Sequence, residues 1–230
     1  MKKMLPLFVA VTMLLLALPQ PISAASPTGA LRPFIPAVPA GSAEGIAVSG
    51  GLFYVSSIGF TSADGSIYVY NQAGTLVNTY TIPGLPIVGQ EVISGNTLFV
   101  VACSATLSGG AVVAIDLSTG VVNPAFSPVP TGCPNGLTMD KQGNLYAANF
   151  AGWIDKVTPS GALSLFATGG ALTPGNLMGF VIGPNDITYN PDQNALYTSN
   201  TGQNTIAKVQ INGDGSAGAI TVFSTAVPGG

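Results

Sequence analysis

The sequence contains no histidine. That absence excludes a Ser-His-Asp triad, a Cys-His pair and any zinc site built on imidazole. Chemistry in this chain has to come from carboxylates, amides, hydroxyls, backbone groups or a metal held by oxygen. Charge is scarce too, at 7% of 230 residues, with six basic residues against nine acidic ones. So little positive charge argues against nucleic acid as a partner. There are only two cysteines and one tryptophan. Helical heptads, low-complexity tracts and charged interdomain linkers are all missing. The apolar run Leu5 to Leu18 falls short of the ~20 residues that a spanning helix needs.

That run has another reading. Lys2 and Lys3 precede it and the small residues Ser23-Ala24-Ala25 follow, which is the layout of a cleaved secretory signal over residues 1–25. The mature chain is then expected to be secreted or periplasmic, with no membrane attachment after cleavage. Without Lys2 and Lys3 it keeps four basic and nine acidic residues, a net charge of −5.

What the chain does have is hydrophobic residues at 47%, with 30 glycines and 18 prolines. The hydrophobic share is too high for a disordered chain, and the Gly and Pro content suits short strands joined by turns. Pro134 to Asn149 shows the unit. Leu137, Met139, Leu145 and Ala147 alternate with their neighbours, and Asp140-Lys141-Gln142-Gly143-Asn144 between them is turn chemistry. Similar units begin at Glu44, Gly89 and Asn185. Taking these with Asn135 as equivalent, the spacings are 45, 46 and 50 residues. A period of that length built of short strands is the mark of β-propeller blades.

The expected fold class is therefore all-β, a propeller of four-stranded antiparallel blades. Four blades are expected at about 44–83, 89–130, 134–170 and 184–226. Residues 29–36 read like the outer-strand segments 161–167 and 218–224, and supply a spare outer strand for ring closure. Four full sets plus one spare strand predict an open arc of a six-bladed ring. Asn212-Gly213-Asp214-Gly215 faintly suggests a calcium loop, but its acidic spacing suits an ordinary turn.

In such a blade the start of the innermost strand and the end of the second lie on one face, beside the channel. Glu44, Asn135 and Asn185 are expected at the starts, and Asn149 and Asn200 at the ends. All five are then carried towards one mouth, the default ligand site. Plainer roles stand beside this one: a solvated loop carboxylate for Glu44, a turn residue for Asn135, and caps between blades for Asn149 and Asn200. Cys103 ends a second strand and Cys133 precedes the next blade's first strand, so a disulfide between them is expected. Asp116, Asp140, Asp155 and Asp192 fall in turns or outer strands, away from this mouth. Trp153, Tyr54, Tyr146 and Tyr197 sit on strands and read as packing between blades.

The motifs Ala43-Glu44-Gly45-Ile46, Pro134-Asn135-Gly136-Leu137 and Pro184-Asn185-Asp186-Ile187 resemble those of the senescence-marker-protein/gluconolactonase family, six-bladed propellers related to NHL-repeat and strictosidine-synthase-like proteins. The resemblance implies a divalent metal, often calcium, held by Glu44, Asn135 and Asn185. It implies a secreted lactonase-like hydrolase, or a catalytically incomplete relative, acting on a lactone or sugar-derived small molecule. Asn149 and Asn200 become candidate substrate-binding residues. The family's further ligand, an Asp that also serves as base, is expected from a blade beginning Pro-Asp-Gly, and no such motif follows Asn185. The alternative reading is a non-catalytic extracellular binding module.

Overall fold

A computed structural model describes residues 33–35 and 37–225. The expected signal segment lies outside them, as do residues 29–32 and 36 of the spare strand. The described chain is a partial β-propeller of four blades, each a four-stranded antiparallel meander. The first blade comprises β1 (Ser42–Ser49), β2 (Leu52–Ile58), β3 (Gly65–Tyr70) and β4 (Leu76–Ile82). The second comprises β5 (Ile87–Ser94), β6 (Thr97–Cys103), β7 (Gly110–Asp116) and β8 (Val122–Val129). The third comprises β9 (Pro134–Met139), β10 (Leu145–Asn149), β11 (Trp153–Val157) and β12 (Leu163–Thr168). A short hairpin, β13 (Gly175–Leu177) and β14 (Phe180–Ile182), precedes the fourth blade. That blade comprises β15 (Pro184–Asn190), β16 (Ala195–Asn200), β17 (Thr205–Ile211) and β18 (Ala217–Thr225).

The composition follows from this arrangement. A blade held between two others buries both faces of its inner strands, so those strands read as nearly unbroken apolar runs. On β10, Leu145 and Ala147 pack against Val101 and Val112 of the second blade. Tyr146 and Ala148, pointing the other way, pack with Leu196, Ala207 and Val209 of the fourth. The Tyr146 ring meets Phe166 edge-on at 4.8 Å and is fully buried. Truncating such an aromatic to alanine typically costs about 3–5 kcal/mol. The outer strand β12 is largely exposed or half-buried, with only Ala167 buried.

The turns between first and second strands lie at the face opposite the mouth. In the third blade Gly143 takes φ +80°, open to glycine at no steric cost. The Asp140 carboxylate closes this turn. It accepts from the amides of Gln142 and Asn144, both at 2.9 Å, and from the Tyr146 hydroxyl at 3.0 Å.

Each first strand opens with a register break. The ladders skip between Ala43 and Ile46, Val88 and Glu91, Pro134 and Gly136, and Pro184 and Ile187. These are β-bulges, which re-aim side chains and are common beside functional sites. The four bulges nest against one another. A Cβ on Gly89 would strike the Asn135 backbone, and one on Gly136 the Asn185 backbone. Strands β1, β5, β9 and β15 touch in succession, and no comparable contact joins β15 back to β1.

Of the expected spare strand, Pro33, Phe34 and Ile35 are described; the last two form a bend rather than a strand. The Phe34 ring packs on Phe53 of the first blade at 4.9 Å. Its carbonyl meets Gly74, in the turn between the blade's last two strands, as the Phe126 carbonyl of β8 meets Gly161 in the third blade. Phe34 thus stands against the first blade as an outer-strand residue of a preceding blade would.

Candidate functional site

The bulges bring Glu44, Gln90, Asn135, Asn185 and Asp186, with Ser199 of β16, around one cavity of about 350 Å³. Glu44 is exposed, Asn185 half-buried and Asn135 only 4% exposed. The three metal ligands expected from the sequence therefore do converge on one mouth. A larger cavity of about 540 Å³, lined by Phe34, Ile35, Val38 and Val55 and sharing Glu44 with this one, is mainly apolar.

Hydrogen bonds fix the polar rim. The Gln90 side-chain oxygen accepts from the Leu137 amide at 2.8 Å, tying the second bulge to the third blade. Asn185 donates its Nδ2 to the Thr201 hydroxyl at 3.0 Å, which leaves its carbonyl oxygen for the cavity. The Asp186 amide donates to Ser199 Oγ at 3.1 Å, and one carboxylate oxygen accepts from the Ile187 amide at 2.9 Å. In the first blade the Gly45 amide donates to Ser56 Oγ at 2.7 Å.

Two carboxylates here were not anticipated. Asp186 lines the cavity beside Asn185. Glu91 does not line the cavity but touches Gly45, which does; it is 6% exposed, and Ser56 beside it makes no well-formed hydrogen bond to either carboxylate oxygen. Burial pushes its carboxyl up to about 8; the nearby Ser56 hydroxyl and amide pull the other way, and the Glu44 charge adds to the rise. The signal that could have found Glu91 is its register. It faces Val100 as Ile46 faces Val55, Leu137 faces Ala147 and Ile187 faces Thr198. A glutamate thus replaces an aliphatic residue of the repeat.

The mouth is anionic. The described basic side chains are engaged elsewhere: Lys141 with the Pro191 carbonyl, Lys156 with the Gly215 carbonyl, and Lys208 with the Gln193 side chain. Among the described residues no cluster of three His, Cys, Asp or Glu side chains is placed to hold a metal. Any ion here would need amide oxygens alongside carboxylates. That mixed set is what Glu44, Asn135 and Asn185 supply, and it suits a hard cation such as calcium. Glu91, neither of whose oxygens makes a well-formed hydrogen bond, fits the same chemistry.

The expected substrate contacts Asn149 and Asn200 lie away from this cavity. Both are fully buried. Asn149 Oδ1 accepts from the Cys133 amide at 3.0 Å, while its Nδ2 donates to the Thr131 carbonyl and to Asp155, each at 3.3 Å. Asn200 donates to the carbonyls of Ala171 and Thr173, at 3.0 and 2.8 Å. These amides cap the loops entering and leaving the inner strands, and neither lines the cavity. Asp155 also accepts from the Trp153 indole at 3.0 Å, and burial raises its carboxyl. Asp116 and Asp214 close turns with neighbouring serines, at 2.6 Å each.

Cys103 and Cys133 form the expected disulfide, joining the end of β6 to the start of β9 with their Cα atoms 5.3 Å apart. The bond staples the second and third blades on the mouth side, and it is consistent with an oxidising compartment. Among the described residues no helix is long and apolar enough to cross a membrane.

No protein-family model matches the chain, and no curated protein is detectably similar in sequence. Solved structures do share the fold. An auxiliary nutrient-binding protein of Bacteroides thetaiotaomicron superposes with a TM-score of 0.58 at 13% identity, over 80% of this chain and 42% of its own. Hydrazine synthase of Kuenenia stuttgartiensis gives 0.56 at 17% identity, over 72% and 57%. The extracellular domain of a one-component system of B. thetaiotaomicron gives 0.52 at 13% identity, over 80% and 22%. The chain thus spans between 22% and 57% of the length of these structures.

Proposed function

We propose that the chain is an extracellular binding module whose propeller mouth takes a small, oxygen-rich molecule through a divalent cation, with calcium the best match. Glu44, Asn135 and Asn185 would hold the cation. The observation that carries this reading is the convergence of those three side chains on one anionic cavity from which the described basic groups are absent. A cation there neutralises the rim and offers open positions to carboxylate, hydroxyl or carbonyl oxygens of a ligand. The bound cation supplies Lewis acidity. Two structural relatives, an auxiliary nutrient-binding protein and the extracellular domain of a one-component system, are compatible with a binding role.

A second reading, lactone hydrolysis of the gluconolactonase-like kind, is favoured by Asp186. Its carboxylate lines the same cavity, where a base for an attacking water is needed. Calorimetric titration of calcium chloride into chelator-stripped protein tests the shared premise. Saturable binding that Glu44→Gln reduces at least ten-fold supports it; heats of dilution alone refute it. A lactone panel with and without calcium then separates the readings. Turnover lost in Asp186→Asn favours the enzyme, and calcium binding without turnover the binding module.

A further inference from the structure

Glu91 occupies a core position. Its register equivalents Leu137 and Ile187 are buried hydrocarbon packed against the preceding blade. The glutamate is nearly as buried, yet neither of its oxygens makes a well-formed hydrogen bond, the donors beside it being the hydroxyl and amide of Ser56. An unpaired buried carboxylate is costly, and proteins keep one where a cation or a specific partner satisfies it.

The surroundings say where that partner sits. From the first blade the carboxylate meets Ser56 and Gly45, and a Cβ on Gly45 would overlap Glu91 Oε2. Gly45 also lines the mouth cavity, next to Glu44. A residue without a side chain therefore stands between the buried carboxylate and the cavity. The charged group that acts on Glu91 is Glu44, of the same sign. A cation between them would displace the Glu91 proton and be attracted by both carboxylates.

We propose that Glu91, at the seam between the first two blades, is a second carboxylate ligand, with Glu44, for the divalent cation of the mouth. The inference rests on the cation-binding reading above and completes its charge balance. Two carboxylates match a divalent ion, and the carbonyls of Asn135 and Asn185 add neutral oxygens.

The test is calorimetric titration of calcium chloride into the chelator-stripped wild type and into Glu91→Gln and Glu91→Leu. The leucine variant restores the aliphatic residue of the repeat. It should melt no lower than the wild type in chelator, so loss of binding in it cannot be put down to misfolding. The inference predicts at least ten-fold weaker calcium binding in both variants. It also predicts that calcium raises the melting temperature of the wild type but not of Glu91→Leu. Wild-type affinity in both variants, with binding still lost in Glu44→Gln, overturns the role of Glu91 and leaves the cation site standing. No calcium binding by the wild type overturns both.

Discussion

Glu91 makes the stability of the fold depend on pH in a direction that can be worked out. Its carboxyl titrates near 4.5 when exposed and near 8 in the folded chain, chiefly because burial disfavours the charged form. The folded state therefore binds more protons between these values, and stability falls as pH rises through that window. The contribution is fully present below about 4.5 and is lost as pH climbs through about 8. From 4.5 to 7 the unfolded chain ionises while the folded carboxyl stays mostly protonated. At about 1.4 kcal/mol per pH unit, the loss by pH 7 is about 3 kcal/mol. The chain has no histidine to obscure the effect. Asp155, raised by its own burial, slopes the same way, so the Glu91 share is the difference between wild type and Glu91→Gln. Guanidinium unfolding in chelator across pH 5 to 8 should show the wild type weakening relative to Glu91→Gln. Equal slopes for the two proteins would refute the argument.

Reducing the disulfide, or replacing Cys103 and Cys133 by alanine, should cost about 3–4 kcal/mol, from the 30-residue separation it spans. Denaturant unfolding with and without reductant measures this, and unchanged midpoints would count against a stabilising bond. Asn200→Ala should destabilise by about 2–3 kcal/mol, because the carbonyls of Ala171 and Thr173 lose their donor. Calcium affinity should not change. A variant of full stability but altered ligand binding would return Asn200 to the substrate contacts.

Much of the architecture was legible because it is written twice, in period-two alternation and in turn residues. The outer-strand segment expected at 161–167 overlaps β12, and the one expected at 218–224 lies within β18. The third spacing, of 50 residues, is long for a structural reason: the hairpin β13–β14 is inserted before the fourth blade. Its apolar residues Met178 and Phe180 are exposed, so no burial pattern marks it. Repeat equivalence found Glu44, Asn135 and Asn185, because backbone topology alone carries strand starts to one mouth. Asn149 and Asn200 show the limit of that argument: topology gives a residue's place and not where its amide bonds are spent. Glu91 was missed because a strand residue was read for its propensity. Comparison with Ile46, Leu137 and Ile187 would have marked it.

The claim on which the account turns is that the bulges of the first, third and fourth blades hold a cation jointly. Crystals of the protein soaked in terbium chloride, with anomalous difference density computed at the terbium edge, test it directly. The account predicts one strong peak within coordinating distance of the side-chain oxygens of Glu44, Asn135 and Asn185, absent in crystals of Glu44→Gln. No peak at the mouth, or a peak only at surface turns such as those of Asp116 and Asp214, would contradict it.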